Sequence, residues 1–109
     1  MQIQFDKMEP VELPRFRGGE KHFTTRMHAD ANCKIMHGTL IPGASIGIHW
    51  HETSAEMIYI LSGRGYAICD GKTEPLAPGG CHYCPKGSFH GVFNDGKEDL
   101  VFFAVVPQW

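Results

Sequence analysis

Several features that would narrow the function of this chain are missing from it. No cluster of lysines or arginines marks it, the formal charge is −2 and the pI is near 6.4. These values argue against nucleic acid as the main partner. The opening residues, MQIQFDKMEP, lack a basic segment followed by an apolar one, so no secretory leader is readable. The longest apolar run, Leu100 to Val106, is seven residues, far short of a membrane span. No window repeats apolar residues at the spacing of a helix face, so little helix is expected. No internal repeat or low-complexity tract is visible. Four cysteines (Cys33, Cys69, Cys81, Cys84) without a leader predict reduced thiols and a cytoplasmic protein.

What is present is punctuation. Thirteen glycines and seven prolines divide the chain into short segments rich in β-branched and aromatic residues. Strands are expected over Lys21 to His28, Cys33 to Ile41, Ser45 to His51, Glu56 to Ser62, Tyr66 to Cys69, Lys72 to Leu76, Cys81 to Cys84, Ser88 to Phe93 and Leu100 to Val106. Asp70-Gly71 is a two-residue hairpin signal, since both positions tolerate φ > 0. Residues 1–20, with Pro10, Pro14, Gly18 and Gly19, read as an N-terminal arm with at most one short strand. With 109 residues there is one core and one domain, 1–109. The pattern is that of an all-β antiparallel sandwich or barrel.

The histidines carry the chemistry. His49 and His51 lie two apart on a predicted strand, so they share a face, with Cα atoms about 6.6 Å apart. Two imidazoles so placed can converge on one ion at about 2.1 Å each. Glu56 follows a short polar turn and opens an apolar run. Two imidazoles and a carboxylate aimed at one point suit a first-row metal. His90 sits two residues into a separate strand, after Pro85 and Gly87, and supplies a second line of approach. A buried Glu56 without a cation would be costly, because an unpaired carboxylate in a dry site shifts its pKa rather than stay charged.

At this point the chain resembles a known family. Gly43, five residues, His49, one, His51, four, Glu56, six, Gly63 matches the first cupin motif over 43–63. Gly79, five residues, Pro85, one, Gly87, two, His90, three, Asn94 matches the second over 79–94. The fifteen residues between them are the short spacing of small single-domain bacterial cupins. Gly80 stands where relatives often carry Asp, a departure at a turn. The resemblance implies a double-stranded β-helix, a jelly-roll barrel, in which His49, His51, Glu56 and His90 ligate one divalent transition metal: Mn, Fe, Ni, Zn or Cu. It also implies a homodimer.

The remaining candidates have plainer readings. Cys81 and Cys84 are read as core packing, since residues three apart on a strand face opposite ways and cannot share an ion. Of His82 and Tyr83, whichever faces the cavity is a nominee for a proton carrier in the layer behind the metal ligands. Ile58 and Ile60 share the face of Glu56 and are expected to wall the pocket. Trp50 and Tyr59 are expected outside it. His22, His28 and His37 are read as surface or strand residues, Lys34 and Arg26 as surface charge in preference to contacts with an anionic ligand, and Asn94 as a brace for a turn.

Three neutral imidazoles and one carboxylate leave a divalent ion with a net charge of about +1 and, in an octahedron, two free positions. Such a centre takes a bidentate oxygen ligand and can act as a Lewis acid. The sequence therefore points to a metal-dependent enzyme acting on a small oxygen-rich molecule. Isomerase or lyase chemistry on a sugar or sugar acid is favoured over dioxygenase chemistry. The alternative is a small-ligand-binding or sensing module without turnover. Neither nucleic acid nor membrane is expected as a partner.

Overall fold

A computed structural model describes residues 1–108. Among the described residues there are ten strands, the first of them flanked by two short 3-10 turns, Phe5–Lys7 and Phe16–Gly18. The strands are β1 (Val11–Pro14), β2 (His22–Ala29), β3 (Cys33–Leu40), β4 (Ser45–Trp50), β5 (Glu56–Ser62), β6 (Gly65–Cys69), β7 (Lys72–Leu76), β8 (Cys81–Cys84), β9 (Phe89–Phe93) and β10 (Leu100–Pro107). They form a six-stranded sheet, β1-β2-β3-β10-β5-β8, and a four-stranded sheet, β4-β9-β6-β7. Every pairing between these strands is antiparallel. This is the expected jelly-roll barrel. Among the described residues no helix is long and apolar enough to cross a membrane.

Local chemistry sets the breaks. At the β6–β7 turn, Asp70 has φ 48° and Gly71 φ 79°. These are the left-handed angles that match a tight hairpin to the twist of its strands. At the end of β9, the Asn94 side-chain amide donates to the carbonyls of Leu40 and Glu98, each at 2.8 Å. Its oxygen accepts from the Gly96 amide at 2.9 Å, so Asn94 does brace its turn.

Period-two alternation gives the core. Along β10, Leu100, Phe102, Ala104 and Val106 are buried and the residues between them are half-buried. They pack between the sheets with Leu40, Ile58, Ile60 and Val92. The Phe102 ring stacks on Phe23, centroids 5.8 Å apart. Ile58 and Ile60 therefore belong to this core and do not wall the pocket beside the histidines. Alternation tells which side faces in, but not how deep along the barrel a residue lies.

The arm folds on its own chain: β1 pairs with β2 through Val11↔Thr25 to Pro14↔His22. Trp50 is half-exposed and stacked on Phe89 at 5.8 Å but also borders the cavity, against the expectation that it lies outside, whereas Tyr59 is exposed away from it. All four cysteines are free thiols. Cys84 is buried and Cys81 is exposed, so core packing holds for Cys84 alone. The two sit on opposite faces of β8.

Candidate metal centre

One end of the barrel gathers His49, His51, Glu56 and His90, whose donor atoms all lie within 4.8 Å of one another. Backbone pairing does much of the positioning. His49 on β4 is directly opposite His90 on β9. The β4–β9 register shifts between Ile46 and His49, so both residues line the same cavity although three apart. Glu56 is the first residue of β5, opposite Cys84 of β8.

The donors are close. His51 Nε2 lies 3.2 Å from His49 Nε2 and 2.9 Å from His90 Nε2. Glu56 Oε1 lies 3.1 Å from His51 Nε2 and 3.0 Å from His90 Nε2. Adjacent donors around an octahedral ion with bonds of roughly 2.1 Å stand about 3.0 Å apart, against about 3.4 Å in a tetrahedron. These four of the six separations lie nearer the octahedral value, while His49 stands farther from His90 and Glu56, within the 4.8 Å that encloses the whole set.

Each imidazole is also held from behind. His49 Nδ1 donates to the Gly47 carbonyl at 2.7 Å, which leaves Nε2 of the neutral ring as a bare acceptor. His51 Nδ1 meets Ser54 Oγ at 2.9 Å. His90 Nδ1 meets His82 Nε2 at 2.9 Å, and His82 Nδ1 donates to the Glu74 carboxylate. A neutral His82 that donates to Glu74 accepts from His90 Nδ1, which leaves His90 Nε2 to face a cation or, in the metal-free form, to carry the proton that Glu56 accepts. Acceptors packed this closely around a carboxylate repel unless positive charge sits among them. Protons on the imidazoles supply it in one form of the protein, and a divalent cation fits the same gap.

The titration behaviour agrees. Burial holds His49 down, to about 4, against the opposing pull of the Gly47 carbonyl, so its ring is neutral near pH 7. Burial pushes the Glu56 carboxyl up, but hydrogen bonds from His51 and His90 outweigh it and leave Glu56 lowered to about 2. A neutral imidazole and an ionised carboxylate are the forms a metal requires.

Above the cluster lies a cavity of about 270 Å³. Its wall includes Phe16, Phe23, Met36 and Val106, with Arg17 and Lys34, and Glu52 beside His51. Lys34 is thus a cavity residue and not simply surface charge. Arm residues Leu13, Phe16 and Arg17 were not expected there. The only signal for them was that the arm, though broken by Pro and Gly, still carries apolar residues.

The other nominees fall elsewhere. Tyr83 is exposed on the outer face of β8, where alternation sends it once His82 turns inward. His82 is buried but stands behind His90, outside the cavity over the donors. It therefore touches His90 from the layer behind the donors, the place expected of it. His28 meets the Asp30 carboxylate at 3.0 Å, His22 lies near Glu12, and His37 packs against Phe5. Arg26 donates to the Met8 carbonyl.

The family model for the cupin domain matches residues 36–106. The chain belongs to the cupin family. This cupin is 32% identical over 113 residues to a protein of Thermotoga maritima named oxalate-binding protein, covering 97% of this chain and 93% of that one. It is 31% identical over 103 residues to the polyketide synthase CurC of Streptomyces cyaneus, covering 86% and 67%. A crystal structure described as a predicted oxalate decarboxylase from Thermotoga maritima superposes on it with a TM-score of 0.94 at 28% identity, over the full length of both chains.

Proposed function

We propose that this cupin holds one divalent transition metal through His49, His51, Glu56 and His90, and offers it to a small acid that chelates through two adjacent oxygens. The observation that carries the reading is the convergence of three imidazoles and one carboxylate, all donor atoms within 4.8 Å of one another, with the His49 and His90 rings held from behind by hydrogen bonds at Nδ1. A bound ion would supply Lewis acidity there. The residues around it orient the chelating group and exclude part of the solvent. The name of the oxalate-binding relative supports this ligand class, because oxalate is the smallest acid with such an oxygen pair. His82 and Glu74 act through His90, as positioning residues that hold its ring and tautomer.

A lyase reading extends this one, and Glu52 favours it: a carboxyl group at the cavity wall beside His51. Conversion of oxalate and one proton to formate and carbon dioxide balances without an external oxidant, the proton coming from solvent with Glu52 placed to relay it.

The test is metal analysis of protein purified without a chelator or a metal-binding tag, followed by titration with oxalate. About one equivalent of metal, lost in His51→Ala, and oxalate binding only to the loaded protein are expected. Metal retained in His51→Ala, or oxalate bound equally without metal, overturns the assignment. Formate release from the loaded protein, abolished in Glu52→Gln, would make it a lyase.

A further inference from the structure

The cavity is larger and more apolar than a two-carbon dianion requires. Its volume of about 270 Å³ exceeds the ~150 Å³ that suffices for a benzene ring in an apolar protein cavity. The donors occupy one side of it. Opposite them stand Phe16, Phe23, Met27, Met36, Ile46 and Val106, from the arm, both sheets and the last strand. Phe23, Met36, Ile46 and Val106 are buried, and Met27 is partly exposed at 38%. An apolar wall facing a polar anchor is the usual division of a small-ligand site: body against one, orientation from the other.

The arm is built closely onto this wall. The Phe16–Gly18 turn lies so tight on β4 that a Cβ at Gly47 would stand 2.0 Å from the Arg17 carbonyl oxygen. Arg17 itself is left-handed, φ 55°. A non-glycine residue in that region is strained and persists only where its surroundings hold it. The strain places Phe16 and Arg17 at the cavity.

Charge gives the rest. Arg17 and Lys34 border the cavity against one further acid, Glu52, in a chain whose overall charge is negative. Lys34 shares the inward face of β3 with Met36, toward the cavity mouth.

We propose that the ligand is an α-oxo or α-hydroxy monocarboxylic acid with an apolar body about the size of a phenyl ring. Its carboxylate and neighbouring oxygen sit at the metal, its body lies against the Phe16–Phe23–Met36 wall, and Arg17 and Lys34 favour its charge. This rests on the metal reading above and adds the part of the ligand that reading leaves open.

The experiment compares acids with the same chelating head on Mn(II)-loaded protein by calorimetry: pyruvate against phenylpyruvate, and lactate against mandelate, with oxalate beside them. Burying the added ring predicts binding about 10- to 100-fold tighter for phenylpyruvate and mandelate than for their small counterparts. Lys34→Glu, an exposed change, should weaken phenylpyruvate several-fold at low salt and leave manganese affinity unchanged. Met27→Asp should narrow the gap between phenylpyruvate and pyruvate. Equal affinities within each pair, with manganese bound, would overturn this inference and leave the metal reading standing. Failure to bind manganese would overturn both.

Discussion

The two ends of this barrel are made by the same strands and do opposite things. On β5, Glu56 is buried at the metal end, while Ile58 and Ile60, on the same face, are buried in the hydrocarbon core. On the four-stranded sheet, β9 places His90 among three other donors, while Val92, two residues on, packs in the core. A displacement of two residues changes a polar, charge-dependent environment into a dry one. The core end gains from every atom removed from water. The other region holds closely packed acceptors, the donor set proposed for a cation. Stability and chemistry thus fall to neighbouring positions of the same strands in β4, β5 and β9, and the core residues Phe23, Met36, Ile46 and Val106 meet the donors at the cavity wall.

The largest effect that tests this division lies at the core end. Phe102 is fully buried and stacked on Phe23. Phe102→Ala should cost about 3–5 kcal/mol of folding stability, measured by urea denaturation of the metal-free protein. Where the variant remains folded, it should still bind one equivalent of metal. Loss of metal binding in the folded variant would mean that the two ends are coupled, against the comparison.

How much of this division was legible follows the same axis. The strands were readable because Gly and Pro punctuate them, and predicted and observed limits never differ by more than one residue. The gathering of His49, His51, Glu56 and His90 was expected because the motif spacings fix strand parity and turn length. Depth was not readable. Ile58 and Ile60 have the parity of Glu56, but a period of two does not encode distance from the barrel mouth. Nor were the cavity wall from the arm or the Glu74–His82 contact, which joins residues eight apart across neighbouring strands of different sheets. Both depend on tertiary closure.

Acid should separate the two ends in the metal-free protein. His49 is held down to about 4 in the fold, against about 6.5 when unfolded. The unfolded chain therefore binds more protons between these values, and stability falls as pH drops from 6.5 toward 4. Glu56, lowered to about 2, adds a second loss as pH falls from about 4.5 toward 2. The apolar core contributes no term of this kind. Denaturation midpoints at a series of pH values should fall through both windows, and His49→Gln should flatten the upper one. A wild-type midpoint constant between pH 7 and 4 would show that His49 is not held neutral.

The smallest effects come from neighbours on β8, and they test the comparison most finely. His82 and Tyr83 are adjacent, yet one is 2% exposed against His90 and the other 57% exposed on the outside. His82→Phe keeps the volume filled but removes the acceptor for His90 Nδ1, so metal affinity should fall about 10- to 100-fold. Glu74→Gln keeps an acceptor for His82 and loses only the charge, so its effect should be a few-fold and in the same direction. Tyr83→Ala should leave metal affinity unchanged and shift stability by no more than about 0.5 kcal/mol, as exposed substitutions usually do. Competition with a chelating dye measures all three affinities on one scale. If Tyr83→Ala lowered affinity as much as His82→Phe, β8 would act on the centre through its backbone, and the hydrogen-bonded line from Glu74 through His82 to His90 would not be what holds that ligand in place.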